Sequence, residues 1–124
     1  MRAVVAIAVA GAAGALARYG LDGFVSRRQG GAFPWGTFVV NVTGAFVLGL
    51  VFTLATERWG LSPWLRSALT IGFLGAYTTF STFMFETYRL AADRALGLAA
   101  ANLAASCAAG LGAVYVGVVV ARAL

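Results

Sequence analysis

The chain has 124 residues, of which 61% are hydrophobic and only 10% are charged, so it is too apolar for an ordinary soluble domain, where about a quarter of residues are charged. One cysteine and no histidine exclude a disulfide framework and a Cys/His metal site. The net charge of +5 comes from arginines scattered between apolar runs without interleaved aromatic residues, so we expect these side chains to meet lipid headgroups and not nucleic acid.

Long uncharged runs divide the chain into four parts, at residues 3–17, 29–56, 67–85 and 95–121. A helix that crosses a bilayer needs roughly 17–25 apolar residues. The sequence therefore predicts an all-α membrane protein in which residues 1–124 form a single integral membrane domain. We expect its four transmembrane helices at about 3–25, 36–56, 66–89 and 95–121.

The first span has a second interpretation. Arg2, an apolar run and small residues at 13–17 are also typical of a secretory signal peptide. Because the rest of the chain is itself membrane-embedded, we favour a retained helix. Arg18 then lies at a membrane face, where its side chain either reaches towards the lipid interface or draws anions into a vestibule. We favour the vestibule.

Polar side chains lie inside the second and fourth spans. Asn41 is about one turn inside the membrane, close to Thr37, and its amide is either a hydrogen-bonding contact between helices or an NH2 donor to an anion. Asn102 and Ser106 are four residues apart and share one face of a helix. They either continue the same polar track or tie the fourth span to the third.

The third span has the most informative sequence. Residues 72–83 contain two glycines, followed by four hydroxyl residues that alternate with two phenylalanines. Glycine weakens a helix and hydroxyl side chains compete for its backbone groups, so we predict a helix broken near its middle, at about 75–78. Broken helices of this kind offer unwound carbonyl groups to a cation, whereas the alternative is a kink whose hydroxyls bond the backbone.

Phe80 and Phe83 follow the predicted break, with Ser81 and Thr82 between them. Most such phenylalanine pairs only pack. An aromatic ring has a positive edge, however, which favours an anion without the fixed charge that would trap it. We therefore expect the two rings to line an anion pathway. Glu86, near the end of this span, is either an interfacial charge or the mouth of that pathway.

The arginine count gives no preferred orientation in the membrane. The side with the N-terminus, the second loop and the C-terminus carries four arginines, the other side carries four, and Arg18 is ambiguous. Such a chain either inserts both ways, so that two inverted copies pair about an axis in the membrane plane, or has one fixed topology set by features that a count of loop charges misses. We favour insertion both ways. We predict a dual-topology homodimer, with close helix contacts at small residues such as Gly14 and Gly44.

Together these residues resemble the Fluc (CrcB-type) fluoride channels of bacteria. The similarity is collinear over nearly the whole chain, and the last of its motifs is highly specific. The motifs are GALARY at 14–19, GTFVVNVTG at 36–44, GFLG at 72–75 and TTFSTF at 78–83.

The resemblance implies an antiparallel, dual-topology homodimer in the bacterial cytoplasmic (inner) membrane, with two fluoride pathways. It implies that Asn41, Phe80 and Phe83 line each pathway and that hydroxyl groups form a polar track beside them, namely those of Thr37, Ser81, Thr82 and Ser106. It also implies that the backbone carbonyls of Gly75 and Thr78 hold a central, structural Na+. The family often has tyrosine where Asn102 stands.

We therefore expect a passive channel that exports fluoride from the cytoplasm, and not an enzyme. One alternative is a small multidrug-type exporter, which needs a glutamate in its first span, whereas the first acid here is Asp22. The other alternative is a structural membrane subunit that transports nothing. In such a subunit the polar residues only join helices, so changing Phe80 or Phe83 to isoleucine affects folding and not flux.

Overall fold

The computed structural model describes all 124 residues and contains helices but no strands. Four helical stretches are long and apolar enough to cross a membrane, which confirms the predicted number. The first, second and fourth are α1 (Arg2–Arg28), α2 (Trp35–Arg58) and α5 (Leu96–Ala123). The third, Pro63–Ala92, consists of α3 (63–77) and α4 (Phe80–Ala92), which an extended segment separates.

The interruption of the third stretch lies at Thr78 and Thr79. Thr78 has φ −80° and ψ 158°, and Thr79 has φ −148° and ψ 114°, so both are extended. Gly75 is still helical, with φ −64° and ψ −35°, so the break is shorter and further along than the glycine suggested. Thr79 also caps α4, because its hydroxyl accepts a hydrogen bond from the Thr82 backbone N–H.

Two segments are π-helical, a feature that the sequence analysis did not predict. They are Leu54–Arg58, at the end of α2, and Ala68–Leu74, within α3. A π-helical turn holds more residues than an α-helical one. The residues after Leu74 therefore face directions that a spacing of 3.6 residues per turn does not give.

Glycines allow the helices to approach closely within one chain. A Cβ atom on Gly14 of α1 would overlap the Phe73 carbonyl oxygen of α3, and one on Gly44 would overlap the Thr78 side chain. Both glycines therefore serve contacts inside the chain, whereas the sequence analysis predicted them for a subunit interface. The contact with α3 also makes α1 part of the bundle.

The most extensive helix–helix contact joins α2 and α5, and a Cβ atom on Gly117 would overlap the Phe46 carbonyl oxygen there. We expect Gly117→Ala to lower the free energy of unfolding by about 1–3 kcal/mol, because backbone atoms must move apart. Gly97→Ala, on the same helix with nothing within 4 Å of the new methyl group, is the matched control and is expected to be neutral or slightly stabilising. Thermal unfolding of the two purified variants measures the difference, and equal stabilities would contradict the packing argument.

The ends of α2 and α5 meet on one side of the bundle. Glu57 forms an ion pair of 2.9 Å with Arg122, and Arg58 donates to the Arg122 carbonyl oxygen at 2.9 Å. Both partners of the ion pair are exposed, so it contributes little to stability. Only 21 of the 124 residues are buried, and large apolar side chains cover the outside of the bundle, as a lipid environment requires.

Candidate ion pathway

Three cavities follow one another along α2 and α4. The outer cavity, of about 350 Å³, lies at the loop between α1 and α2 and contains Glu86. The vestibule, of about 170 Å³, is lined by Arg18, Thr37, Thr79 and Thr82, among others. The third, of about 400 Å³, is here called the phenylalanine cavity, and its lining includes Asn41, Phe80, Phe83 and Ser106.

Asn41 joins α2 to the break in the third stretch with two hydrogen bonds. Its Nδ2 donates to the Thr79 carbonyl oxygen at 3.0 Å, and its Oδ1 accepts from the Thr79 N–H at 2.7 Å. A backbone without helical partners is costly at membrane depth, and this side chain supplies both missing partners. Thr79 lines the vestibule as well as the phenylalanine cavity, so the Asn41–Thr79 pair lies between them.

Two carbonyl groups of the break lack the donors that an unbroken helix would give them. The Thr79 N–H, which an unbroken helix would direct to the Gly75 carbonyl, donates to Asn41 instead. The Thr78 carbonyl accepts no hydrogen bond within the chain. Gly75 and Thr78 both line the open phenylalanine cavity, and no group of three or more acidic, cysteine or histidine residues exists that would offer a different metal site.

Phe80 and Phe83 share the phenylalanine cavity, as their spacing predicted. Their ring centroids are 6.1 Å apart and the rings are nearly perpendicular, at 71°. Phe83 is 7% exposed, whereas Phe80 is 73% exposed and lies at the open side of the cavity. The edge of one ring therefore meets the face of the other, which leaves further ring edge for a ligand in the cavity.

The vestibule combines one cation with hydroxyl groups. Arg18 is half-buried there and has neither an ion pair nor a hydrogen bond within the chain. The Thr82 hydroxyl accepts from the Thr79 hydroxyl at 3.1 Å, which leaves its own hydrogen free. Asp22 also lines this space, and its carboxylate accepts from Ser26 at 3.0 Å. An unpaired guanidinium beside a free hydroxyl donor attracts an anion, whereas the carboxylate opposes it.

Thr37 and Glu86 separate the vestibule from the outer cavity. The Thr37 hydroxyl, in the vestibule, donates to Glu86 Oε1 at 2.8 Å, and Glu86 lines the outer cavity. Glu86 Oε2 is buried and has no hydrogen-bond partner. The sequence analysis left the role of Glu86 open, and the structure places it at the mouth of the cavity series. Thr82 and Glu86 are four residues apart and so share one face of α4, a spacing from which this position could have been predicted.

Two of the predicted pathway residues lie away from the cavities. Ser81 is exposed and lines none of the three. Asn102 is 1% exposed and donates to the Thr87 hydroxyl of α4 at 2.9 Å, so it ties the fourth span to the third. The structural roles of Thr79 and Thr87 were not predicted from the sequence. Neither was the position of Cys107, which lines the phenylalanine cavity.

Comparison with known proteins places these residues in context. Residues 5–118 match the family described as CrcB-like protein, Camphor Resistance (CrcB). A protein of Citrifermentans bemidjiense named fluoride-specific ion channel FluC is 49% identical over 124 residues, the whole of both chains. A relative of the same name in Geobacter sp. strain M21 is also 49% identical over the whole of both chains. Another, in Acidobacterium capsulatum, is 47% identical over 114 residues, which are 92% of this chain and 91% of the relative. The family match and the full-length relatives therefore span the part of the chain that lines the three cavities.

Proposed function

The chain belongs to the CrcB-like family, as its motifs indicated, and from this premise we propose that it is a channel through which fluoride leaves the cytoplasm passively. The family and the names of the relatives indicate an ion channel and not an enzyme. The observation that carries the proposal is full-length similarity to proteins named as fluoride-specific channels, together with a cavity that Asn41, Phe80, Phe83 and Ser106 share.

The three cavities support a route along α2 and α4. Arg18 raises the local concentration of anions in the vestibule, where the free hydroxyl of Thr82 replaces part of their hydration. The ring edges of Phe80 and Phe83 then favour the anion without a fixed charge, so it binds well enough to enter and weakly enough to leave. Both groups of the Asn41 amide are engaged by Thr79, so Asn41 contributes by fixing the backbone between the two cavities.

A second, inverted copy of the chain would complete this route. Phe80 is 73% exposed, and the phenylalanine cavity is open on the side where the break lies. The balanced arginine count supports insertion in both orientations, with a dual-topology homodimer in the bacterial inner membrane as the result. An N-terminal epitope that is accessible from both sides of the membrane in comparable amounts would support this arrangement. Accessibility from one side only would contradict it.

A structural Na+ fits the carbonyl groups of the break. The Gly75 carbonyl lacks its α-helical donor and the Thr78 carbonyl accepts no hydrogen bond, and free carbonyls of broken helices are ligands for Na+. Bound there, the ion would supply positive charge that joins the two copies. We expect the purified protein to unfold at a higher temperature in NaCl than in the same concentration of N-methylglucamine chloride. Equal unfolding temperatures would contradict the sodium site.

Efflux from liposomes tests the channel itself. We expect vesicles that contain the purified protein to lose a fluoride load rapidly and to retain a chloride load, compared with protein-free vesicles. Equal loss of the two anions would contradict selectivity. Retention of fluoride by vesicles that contain a folded protein would contradict the channel and favour a structural subunit. Uptake of a cationic dye driven by a proton gradient would favour the exporter.

A further inference from the structure

Three hydrogen bonds connect the phenylalanine cavity to the interior of the bundle. Ser106, which lines the cavity, donates to Asn102 Oδ1 at 3.3 Å. Asn102 Nδ2 donates to the Thr87 hydroxyl at 2.9 Å, and this hydroxyl donates to the Phe83 carbonyl oxygen at 2.8 Å. Asn102 and Thr87 are 1% and 9% exposed, so water does not compete for the inner part of the series.

The last acceptor fixes the direction of the whole series. A carbonyl oxygen only accepts, so Thr87 must direct its single hydroxyl hydrogen to Phe83. Thr87 can then only accept from Asn102, which turns the NH2 group of the amide towards Thr87 and its oxygen towards Ser106. The hydrogen of the Ser106 hydroxyl therefore points to Asn102, and Ser106 presents only lone pairs to the cavity.

We infer that Asn102 is a positioning residue that makes Ser106 an acceptor towards the phenylalanine cavity and so weakens the binding of an anion there. This inference rests on the proposed function. Fluoride is only an acceptor, so it gains a donor from Ser106 only when the hydroxyl turns away from Asn102. The bond that must break is the longest of the three, and its 3.3 Å exceeds the roughly 2.5–3.0 Å usual for a hydroxyl donor, so it is the weakest of them. Asn102 thereby sets how strongly fluoride is held beside Ser106.

The substitution Thr87→Val tests this inference at a residue that does not line the cavity. Valine has nearly the shape of threonine but cannot accept from the amide, so Asn102 no longer has a fixed orientation and the Ser106 hydroxyl is free to donate to fluoride. A net hydrogen bond of ordinary strength corresponds to a factor of about 2–10. We therefore expect the fluoride concentration at which efflux is half-maximal to fall about 2- to 10-fold. Thr87→Ser keeps the hydroxyl and is expected to match the unmodified protein.

The Ser106→Ala background separates positioning from packing. With no hydroxyl in the cavity, Thr87→Val is expected to leave the half-maximal concentration unchanged. If Thr87→Val shifts this concentration equally with and without Ser106, or does not shift it in the presence of Ser106, the inference is wrong. If Thr87→Val fails to fold, Asn102→Leu replaces it, because this substitution also frees the Ser106 hydroxyl. Its shift of the half-maximal concentration is then compared with and without Ser106. Absence of fluoride efflux in the unmodified protein would instead contradict the proposed function.

Discussion

Asn41→Leu is expected to abolish fluoride efflux and also to destabilise the protein. The substitution leaves the Thr79 N–H and carbonyl oxygen, now paired with Asn41 at 2.7 and 3.0 Å, without partners. Each unpaired buried polar group costs roughly 1–3 kcal/mol, so the free energy of unfolding should fall by about 2–6 kcal/mol. If the misplaced backbone raises the barrier to ion passage by about 3 kcal/mol, efflux decreases at least about 100-fold. Thermal unfolding and liposome efflux of the same preparation measure both effects.

Thr43→Val is the matched control for Asn41→Leu. Thr43 lies on the same helix and its hydroxyl makes contacts with the Val39 carbonyl oxygen at 2.7 Å and the Tyr77 hydroxyl at 2.8 Å, but it pairs with no group of the break. We expect a much smaller loss of stability and near-normal efflux. If the Asn41→Leu protein has lost efflux but is as stable as the unmodified protein, the amide binds the anion directly and its role is not to fix the backbone at Thr79.

The sequence predicted the features of this fold that depend on local composition. Long uncharged runs predicted the four spans, and glycine and hydroxyl residues predicted an interruption of the third at about 75–78, which the structure has at Thr78 and Thr79. The separation of three residues between Phe80 and Phe83 was sufficient to predict that both rings reach one cavity. These predictions succeeded because hydropathy and helical spacing do not depend on how the helices pack.

Features that depend on how the helices pack could not be predicted from the sequence. The contact of Thr37 with Glu86 joins residues 49 positions apart, and the contact of Asn41 with Thr79 joins residues 38 apart. Their partners depend on the rotation of α2 against α4. The π-helical segment Ala68–Leu74 alters that rotation, and no residue in it is a recognised signal for a π-helix. Ser81 was placed on the track by resemblance alone, and in a single chain it lines none of the three cavities.

These packing contacts also explain why one residue type has different roles at different positions. Asn41 is half-buried and pairs with backbone groups, whereas Asn102 is buried and pairs with hydroxyl groups. The backbone pair fixes the boundary between vestibule and phenylalanine cavity, so its loss affects the fold. The hydroxyl series ties the fourth span to the third and sets the direction of one hydrogen in that cavity. We therefore expect large effects at Asn41 and graded effects at Asn102.

Phe83→Ile is expected to reduce fluoride efflux by about 30-fold while the protein remains folded. Isoleucine keeps the position apolar, but it has no positive edge for an anion. We take the contact of an anion with the ring edge to be comparable to that of a desolvated cation with a ring face, roughly 2 kcal/mol, and a barrier raised by that amount slows passage about 30-fold. Phe83 is 7% exposed and lies inside the phenylalanine cavity, whereas Phe80 is 73% exposed. We therefore expect Phe83→Ile to reduce efflux more than Phe80→Ile.

Phe85→Ile is the control that separates the ring edge from general packing. Phe85 lies two residues further along α4, is 60% exposed and lines none of the three cavities. We expect its replacement to leave efflux unchanged, measured in the same liposomes at equal protein content. If Phe83→Ile elutes as a folded protein and conducts fluoride normally, the ring edge is not part of the pathway. If it conducts poorly only because it unfolds, Phe83 is a core residue, as a structural subunit without transport would require.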